Sequence, residues 1–131
     1  MRLLLDTHIW LWCLGEPQRL SRRVVRELES AESELWLSPI SAWELLVLVE
    51  TGRVALGGEV DAWLEDAAAR LPLREAPITH EIARESRRVA VSHGDPADRF
   101  LAATARAMDL TLATADERLL QSKGIAVLPN R

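Results

Sequence analysis

Cysteine is nearly absent from this chain. Cys13 stands alone among 131 residues, which excludes an internal disulfide, and no Cys/His cluster exists to build a structural zinc site. A reducing compartment, the cytoplasm, is the expected setting. Tyrosine is missing and phenylalanine occurs once, against five tryptophans. Lysine is equally scarce: Lys123 stands alone, so arginine supplies nearly all the basic charge, and its planar fork suits bidentate contacts to phosphate. Basic residues as a whole are in deficit, 16 against 20 acidic ones for a net charge of −4, which argues against binding nucleic acid through bulk positive charge. That objection weakens if the acids gather in one pocket that holds divalent cations where phosphate would approach. Long apolar runs are lacking too. Leu3-Leu4-Leu5 and Ile9-Trp10-Leu11-Trp12 superficially suggest a signal peptide, yet Asp6 and His8 interrupt them and no small-x-small cleavage site follows. Nothing further on reaches the roughly 18 uninterrupted apolar residues of a spanning helix. The chain is expected to be soluble, unexported and away from membranes.

What is present is core material. Hydrophobic residues make up 48% of the chain with no low-complexity tract, enough for one core and too little length for two, so residues 1–131 read as a single domain. Arg2 to Leu5 reads as a buried strand presenting Asp6 at its carboxyl end, followed by an apolar helix to about Leu14. Ser21 caps a helix to about Ser30, and Leu35-Trp36-Leu37 is a second strand. Ser38-Pro39 joins an N-cap to proline at the first helical position, for a helix reaching Thr51 and stopped by Gly52. Amphipathic segments follow over about Val60 to Leu71 and Thr79 to Val91, separated by Pro72 and Pro77. His93-Gly94 breaks the pattern, and Asp95-Pro96 opens a helix through Met108 by the same logic. Leu110 to Ala113 is a strand, Thr114-Ala115-Asp116-Glu117 has the form of a capping box for a short helix, and Ile125 to Leu128 is a final strand. Strands alternating with helices predict an α/β fold with a mostly parallel central sheet flanked by helices. Such sheets bind ligands at the carboxyl ends of strands, near a switch in strand order.

Four acids can meet on that edge. Asp6 and Asp116 follow predicted strands, while Glu44 and Asp98 sit in the first turns of helices that begin near strand ends or loops. Each has an ordinary reading: Asp6 as a cap, Asp116 as a first-turn acid beside a Thr114 cap, Asp98 as a first-turn acid suited to the helix dipole, and Glu44 as part of a narrow solvated stripe with Ser41. Asp95 reads as an N-cap. Glu44 is the most informative, because its helix is apolar almost all round and expected to be buried, where a carboxylate is unfavourable without a partner. Convergence carries the inference: two acids about 4 Å apart repel by roughly 4 kcal/mol at an effective dielectric near 20, so a pocket of them implies bound cations or raised pKa values. Carboxylate-only donors select Mg²⁺, with Mn²⁺ as a substitute, over zinc. One or two such ions suit hydrolysis of a phosphodiester. His8, His80 and His93 form no site by spacing and are expected at the surface or as caps, with a place near the pocket as the alternative for His8, two residues past Asp6.

In order and spacing, Leu4-Leu5-Asp6-Thr7-His8, Ser38-Pro39-Ile40-Ser41-Ala42-Trp43-Glu44, His93-Gly94-Asp95-Pro96-Ala97-Asp98-Arg99 and Leu112-Ala113-Thr114-Ala115-Asp116 resemble PIN-domain ribonucleases. Within that family the chain resembles toxins of the VapC kind, over essentially its whole length. The resemblance implies that Asp6, Glu44, Asp98 and Asp116 are the acidic quartet that binds metal and carries catalysis, with Asp6 and Asp98 foremost as direct ligands. It implies supporting hydroxyls at Thr7 and Thr114 and a supporting, helix-capping acid at Asp95. It also implies Mg²⁺-dependent endoribonuclease activity on RNA, a homodimer, and a cognate VapB-type antitoxin that inserts a segment near the active site. Ala97 is a departure, since relatives often carry a larger apolar residue there; it touches packing and substrate detail rather than the ligands.

The rival on the same fold is a non-catalytic RNA-binding or protein-interaction module whose acids serve as caps, against which a complete quartet argues. A phosphatase with an aspartate nucleophile after its first strand needs a second acid where His8 stands. A dinucleotide-binding domain needs a glycine-rich turn where Asp6-Thr7-His8 stands. Trp10 and Trp12 are expected to pack in the core, with a partner groove or base stacking as the alternative. Arg84, Arg87 and Arg88 either line an RNA path or solvate a helix face.

Overall fold

Alternation along the first strand sets the architecture. In β1 (Arg2–Leu5), Leu3 and Leu5 enter one apolar cluster and Leu4 another, so both faces of the sheet are covered, as parallel sheets require. The computed structural model describes residues 1–91 and 94–131; the role expected for His93, and the pattern break placed there, lie outside them. Beside β1 stand β2 (Glu34–Leu37), β3 (Arg74–Glu75), β4 (Thr111–Thr114) and β5 (Ala126–Pro129). Their order is β3-β2-β1-β4-β5 and every pairing is parallel. From β1 the chain builds outward through β2 and β3, then returns to β4 on the other side. That reversal opens a crevice at the carboxyl ends of β1 and β4.

The helices are α1 (Thr7–Gly15), α2 (Arg22–Glu29), α3 (Pro39–Glu50), α4 (Val60–Arg70), α5 (His80–Glu85), α6 (Pro96–Ala107) and α7 (Glu117–Leu120). On one face of the sheet, Ile9 and Trp10 of α1, Val24 of α2, Leu45 of α3 and Ala67 of α4 pack with Leu3, Leu5, Ala113 and Leu128. On the other, Leu101 and Ala105 of α6 and Leu119 of α7 cover Leu4 and Leu112. Each fully buried Leu or Ile contributes roughly 1.5–3 kcal/mol of transfer free energy. Among the described residues no helix is long and apolar enough to cross a membrane.

The expected caps form. Ser38 accepts from the Ile40 N–H at 3.1 Å and Asp95 from the Asp98 N–H at 3.2 Å, and Gly52 follows α3 with φ +75°, a conformation that favours glycine. Four local expectations fail. Arg74–Glu75 was expected only as a connection between prolines, yet pairs with β2 as an edge strand. The segment after Thr79 was expected to stay helical to Val91, yet α5 stops at Glu85. Arg99 of α6 supplies the reason: its guanidinium donates to the carbonyls of Ser86, Val89 and Val91 at 2.9, 3.3 and 3.4 Å. Those carbonyls need no further helical turn, and Val89 and Val91 pack with Ala102 and Ala103 instead. The Thr114 capping box does not form, because Thr114 remains in β4 and Asp116 itself caps α7. Finally, α3 is not wholly buried: Trp43 is 50% exposed, and Ser41 and Leu45 are its buried residues.

Candidate active site

The β1–β4 ladder delivers the first acid. Asp6 N–H donates to the Ala113 carbonyl at 3.0 Å, one residue beyond the end of β1, so the Asp6 side chain enters the crevice. Its Oδ1 accepts from the Thr7 N–H at 2.7 Å, capping α1, and its Oδ2 accepts from the Thr114 hydroxyl at 2.6 Å. The same Thr114 oxygen accepts from the Asp116 N–H at 3.0 Å, so one hydroxyl ties two acids together. The Thr7 hydroxyl donates to Ser41 Oγ at 2.9 Å, joining α1 to the helix that carries Glu44. Ser41 is thus a tie between helices and not the cap partner of Glu44.

Asp6, Glu44, Asp98 and Asp116 line one cavity of about 430 Å³, together with Asp95. Asp6 and Asp98 are only 7% and 6% exposed. Burial raises the Asp6 pKa, against the opposing pull of the Thr114 and Thr7 hydrogen bonds, and Glu44 raises it further. Asp98 is pushed up to about 7, first by burial and then by the charges of Asp95, Asp6, Asp116 and Glu44. Desolvation and like charge act in the same direction there. The four acids expected from the sequence therefore share one electrostatic environment.

That environment fits a hard divalent cation. The donors facing the cavity are five carboxylates and the His8 imidazole, without a thiolate, and this oxygen-rich set suits Mg²⁺ or Mn²⁺. Among the described residues, no three His, Cys, Asp or Glu groups already stand close enough to hold an ion. Carboxylates at this density repel one another, and ligation requires them to close inward around the charge.

Residues 3–124 match the PIN domain family. The chain belongs to the PIN-domain family. This PIN domain is 39% identical over 118 residues to Ribonuclease VapC22 of Mycobacterium tuberculosis, covering 89% of this chain and 88% of that protein. Its fold is similar to a chain of VapBC2 from Rickettsia felis, solved with a promoter DNA fragment, at TM-score 0.73, 16% identity and 98% coverage of each. FitAcB from Neisseria gonorrhoeae is similar at TM-score 0.64 and 27% identity, over 98% of this chain and 97% of that one. The PIN domain carries its α/β sheet all-parallel, as the sequence had led us to expect in the main.

Sequence reasoning gave Arg53 and Arg118 no place in the cavity wall of this PIN domain, and held a wall position for His8 and Trp12 only as the alternative. His8 and Trp12 line it, as do Arg53 and Arg118. His8 is exposed, as expected, but faces the acids and lies tilted against Trp12 at 5.9 Å. Arg118 forks onto Asp116, with Nη2 to Oδ2 at 3.3 Å. The nearest signal was spacing: Arg118 stands two residues past an expected site acid, and His8 two past another. Arg53 gave no such signal, since it reaches the site only through the turn after α3. Of the tryptophans, Trp10 is core, meeting Trp63 edge-on at 5.6 Å. Arg84, Arg87 and Arg88 are exposed on or just after α5 and do not line the cavity.

Proposed function

We propose that this chain is a divalent-metal-dependent endoribonuclease, the toxin of a VapBC-type module, acting as one PIN domain over residues 1–131. The observation that carries the reading is the single cavity at the β1–β4 switch point lined by Asp6, Glu44, Asp98 and Asp116. The 39% identity to Ribonuclease VapC22 supports RNA as the substrate. The VapBC complexes among its structural neighbours support a VapB-type antitoxin as partner. A homodimer in the cytoplasm completes the proposal, and exposed Trp43 on α3 offers it apolar surface.

Asp6, Glu44, Asp98 and Asp116 would hold Mg²⁺, or Mn²⁺ in its place. Bound there, the cation supplies Lewis-acid stabilisation of phosphoryl charge and eases ionisation of water. Thr114 holds Asp6 Oδ2 in a fixed direction and sets the Asp116 backbone beside it, so two ligands are oriented before substrate arrives. Asp95 fixes the first turn of α6 through the Asp98 N–H, which aims Asp98 at the same point. Asp98, its pKa raised by burial and the neighbouring acids, is the ligand that would have to lose a proton to hold the cation. Burial on the sheet side excludes water from Asp6 and strengthens these interactions.

The test is cleavage of total cellular RNA by the purified chain with Mg²⁺, with Mn²⁺ and with chelator, followed by mapping of new ends. Discrete cuts that require metal are expected. A folded, antitoxin-free preparation that leaves all RNA intact in either metal contradicts the proposal.

A further inference from the structure

The carboxylate cavity poses a difficulty for its own substrate. Five carboxylates line it against two guanidiniums, those of Arg53 and Arg118. A phosphodiester entering it meets net negative charge even beside one divalent cation. Arg118 is already engaged, its backbone N–H and Nε donating to Asp116 Oδ1 at 2.9 and 3.4 Å and its Nη2 to Oδ2 at 3.3 Å. Arg53 is not. Its backbone N–H donates to the Leu48 carbonyl at 2.9 Å, directly after the positive-φ Gly52, which fixes where the side chain leaves the backbone. Among the described residues its exposed guanidinium makes no hydrogen bond or ion pair.

A second cavity, also of about 430 Å³, adjoins the first. The two share His8, Trp12 and Arg53, so Arg53 stands at the threshold between them. Beyond that threshold lie Trp63 and Arg19, the Arg19 guanidinium stacked over the Trp12 ring at 4.2 Å. Glu16, the carboxylate among its lining residues, is paired with Arg19 at 3.6 Å. Aromatic side chains beside a cation are the combination that holds single-stranded nucleic acid, and here Arg53 is the cation that Glu16 leaves unneutralised among the described residues. The volume lies within the roughly 300–1,000 Å³ typical of small-ligand sites.

The geometry points to a nucleotide subsite in this second cavity: the RNA strand leaves the carboxylates across Arg53, which takes the phosphate of the nucleotide next to the scissile bond. The base of that nucleotide lies beyond, among Trp12, Trp63 and Arg19. This inference rests on the ribonuclease reading and adds the path of the strand on one side of the cut. Continuity with the catalytic cavity and the cation at the junction, unpaired among the described residues, favour RNA over a protein segment as the occupant.

The test uses the full-length Asp98→Asn protein, expected to cut at least a hundredfold more slowly than the parent, and a fluorescein-labelled RNA oligomer spanning a cut mapped with the parent chain. Arg53 is exposed and its side chain bonds to none of the described residues, so Arg53→Ala is expected to keep the parent Tm. In the Asp98→Asn background, Arg53→Ala is expected to weaken RNA binding about tenfold, as loss of one charge-assisted contact does. The slope of log affinity against log salt should flatten by about 0.7, the share of one phosphate on a single strand. Arg53→Lys should keep the slope and recover part of the affinity. With Asp98 intact, KM rises about tenfold and kcat stays within about twofold. An abasic nucleotide on one side of the cut should weaken binding severalfold, and on the other side hardly at all. Unchanged RNA affinity and salt slope in Arg53→Ala overturn the proposal. So does weakened binding of a purified VapB-type antitoxin with RNA affinity intact, which makes the second cavity a protein groove. Absence of RNA cutting by the parent chain defeats the ribonuclease reading itself, whereas cutting with unchanged KM in Arg53→Ala defeats this subsite alone.

Discussion

Removing the Asp98 charge is expected to stabilise the metal-free fold at neutral pH. Burial and four neighbouring carboxylates hold this group at about 7 against an ordinary 3.8. The folded chain therefore binds the Asp98 proton more tightly than the unfolded chain does. The stability of this site is intact below about pH 4, falls as the pH rises toward 7 and is level above that. At 1.36 kcal/mol per pH unit the ceiling on the loss is about 4 kcal/mol. Water reaching the open side of the cavity screens much of it, leaving about 1–2 kcal/mol. Asp98→Asn is uncharged at every pH, so in chelator at pH 7.5 it should raise Tm by about 3–8 °C, and at pH 4 by almost nothing. Saturating Mn²⁺ should reverse the order. A cation at a hundredfold excess over its Kd stabilises the native parent by about 2.7 kcal/mol, and the asparagine variant lacks one ligand for it. Thermal melts followed by circular dichroism at pH 4, 5.5 and 7.5, each with chelator or Mn²⁺, read all of these effects. A variant less stable than its parent at pH 7.5 in chelator, or a gain of equal size at pH 4, refutes the reasoning.

Three further perturbations probe other parts of the account. Thr114→Val keeps the side-chain shape but leaves Asp6 Oδ2 and the Asp116 N–H without their shared partner; urea melts should show a loss of about 1–3 kcal/mol, and RNA cleavage should fall at least tenfold. Trp10→Ala removes a core side chain that is 3% exposed and packs against Trp63, for an expected loss of about 3–5 kcal/mol in the same assay. Burial pushes the Cys13 thiol up to about 11, so iodoacetamide at pH 8 should modify the native chain far more slowly than the urea-unfolded one. Equal rates by mass spectrometry would contradict that burial.

Much of the fold was legible because its signals are local. Ser38-Pro39 and Asp95-Pro96 each combine a cap with a proline at the first helical position, and both start helices where expected. Asp6 was readable as a strand-end acid because the Leu3-Leu4-Leu5 run before it is buried on both sheet faces. What escaped was made by tertiary contact. β3 is two residues long, and pairing with β2, not propensity, makes it a strand. The end of α5 is decided by Arg99, more than ten residues further along the chain. Asp6, Asp98 and Asp116 were legible as acids at strand ends and a helix start, whereas Glu44, expected in the first turn of its helix, stands a turn further on in α3, and Arg53 and Trp12 join the cavity wall only once α1 and α3 have packed. Glu44 lines the cavity as the family resemblance implied, while the burial expected of its helix, one argument for singling it out, does not hold.

The central claim is that four separated acids act as one metal-dependent catalytic unit. Its most direct test is a set of four variants, Asp6→Asn, Glu44→Gln, Asp98→Asn and Asp116→Asn, each assayed for Mn²⁺ binding by calorimetry and for cleavage of one mapped RNA. The account predicts that each variant stays folded, binds Mn²⁺ at least tenfold more weakly or not at all, and cuts at least a hundredfold more slowly, with double variants little worse than single ones. Cleavage at the parent rate by any variant, or cleavage undiminished in chelator, contradicts it.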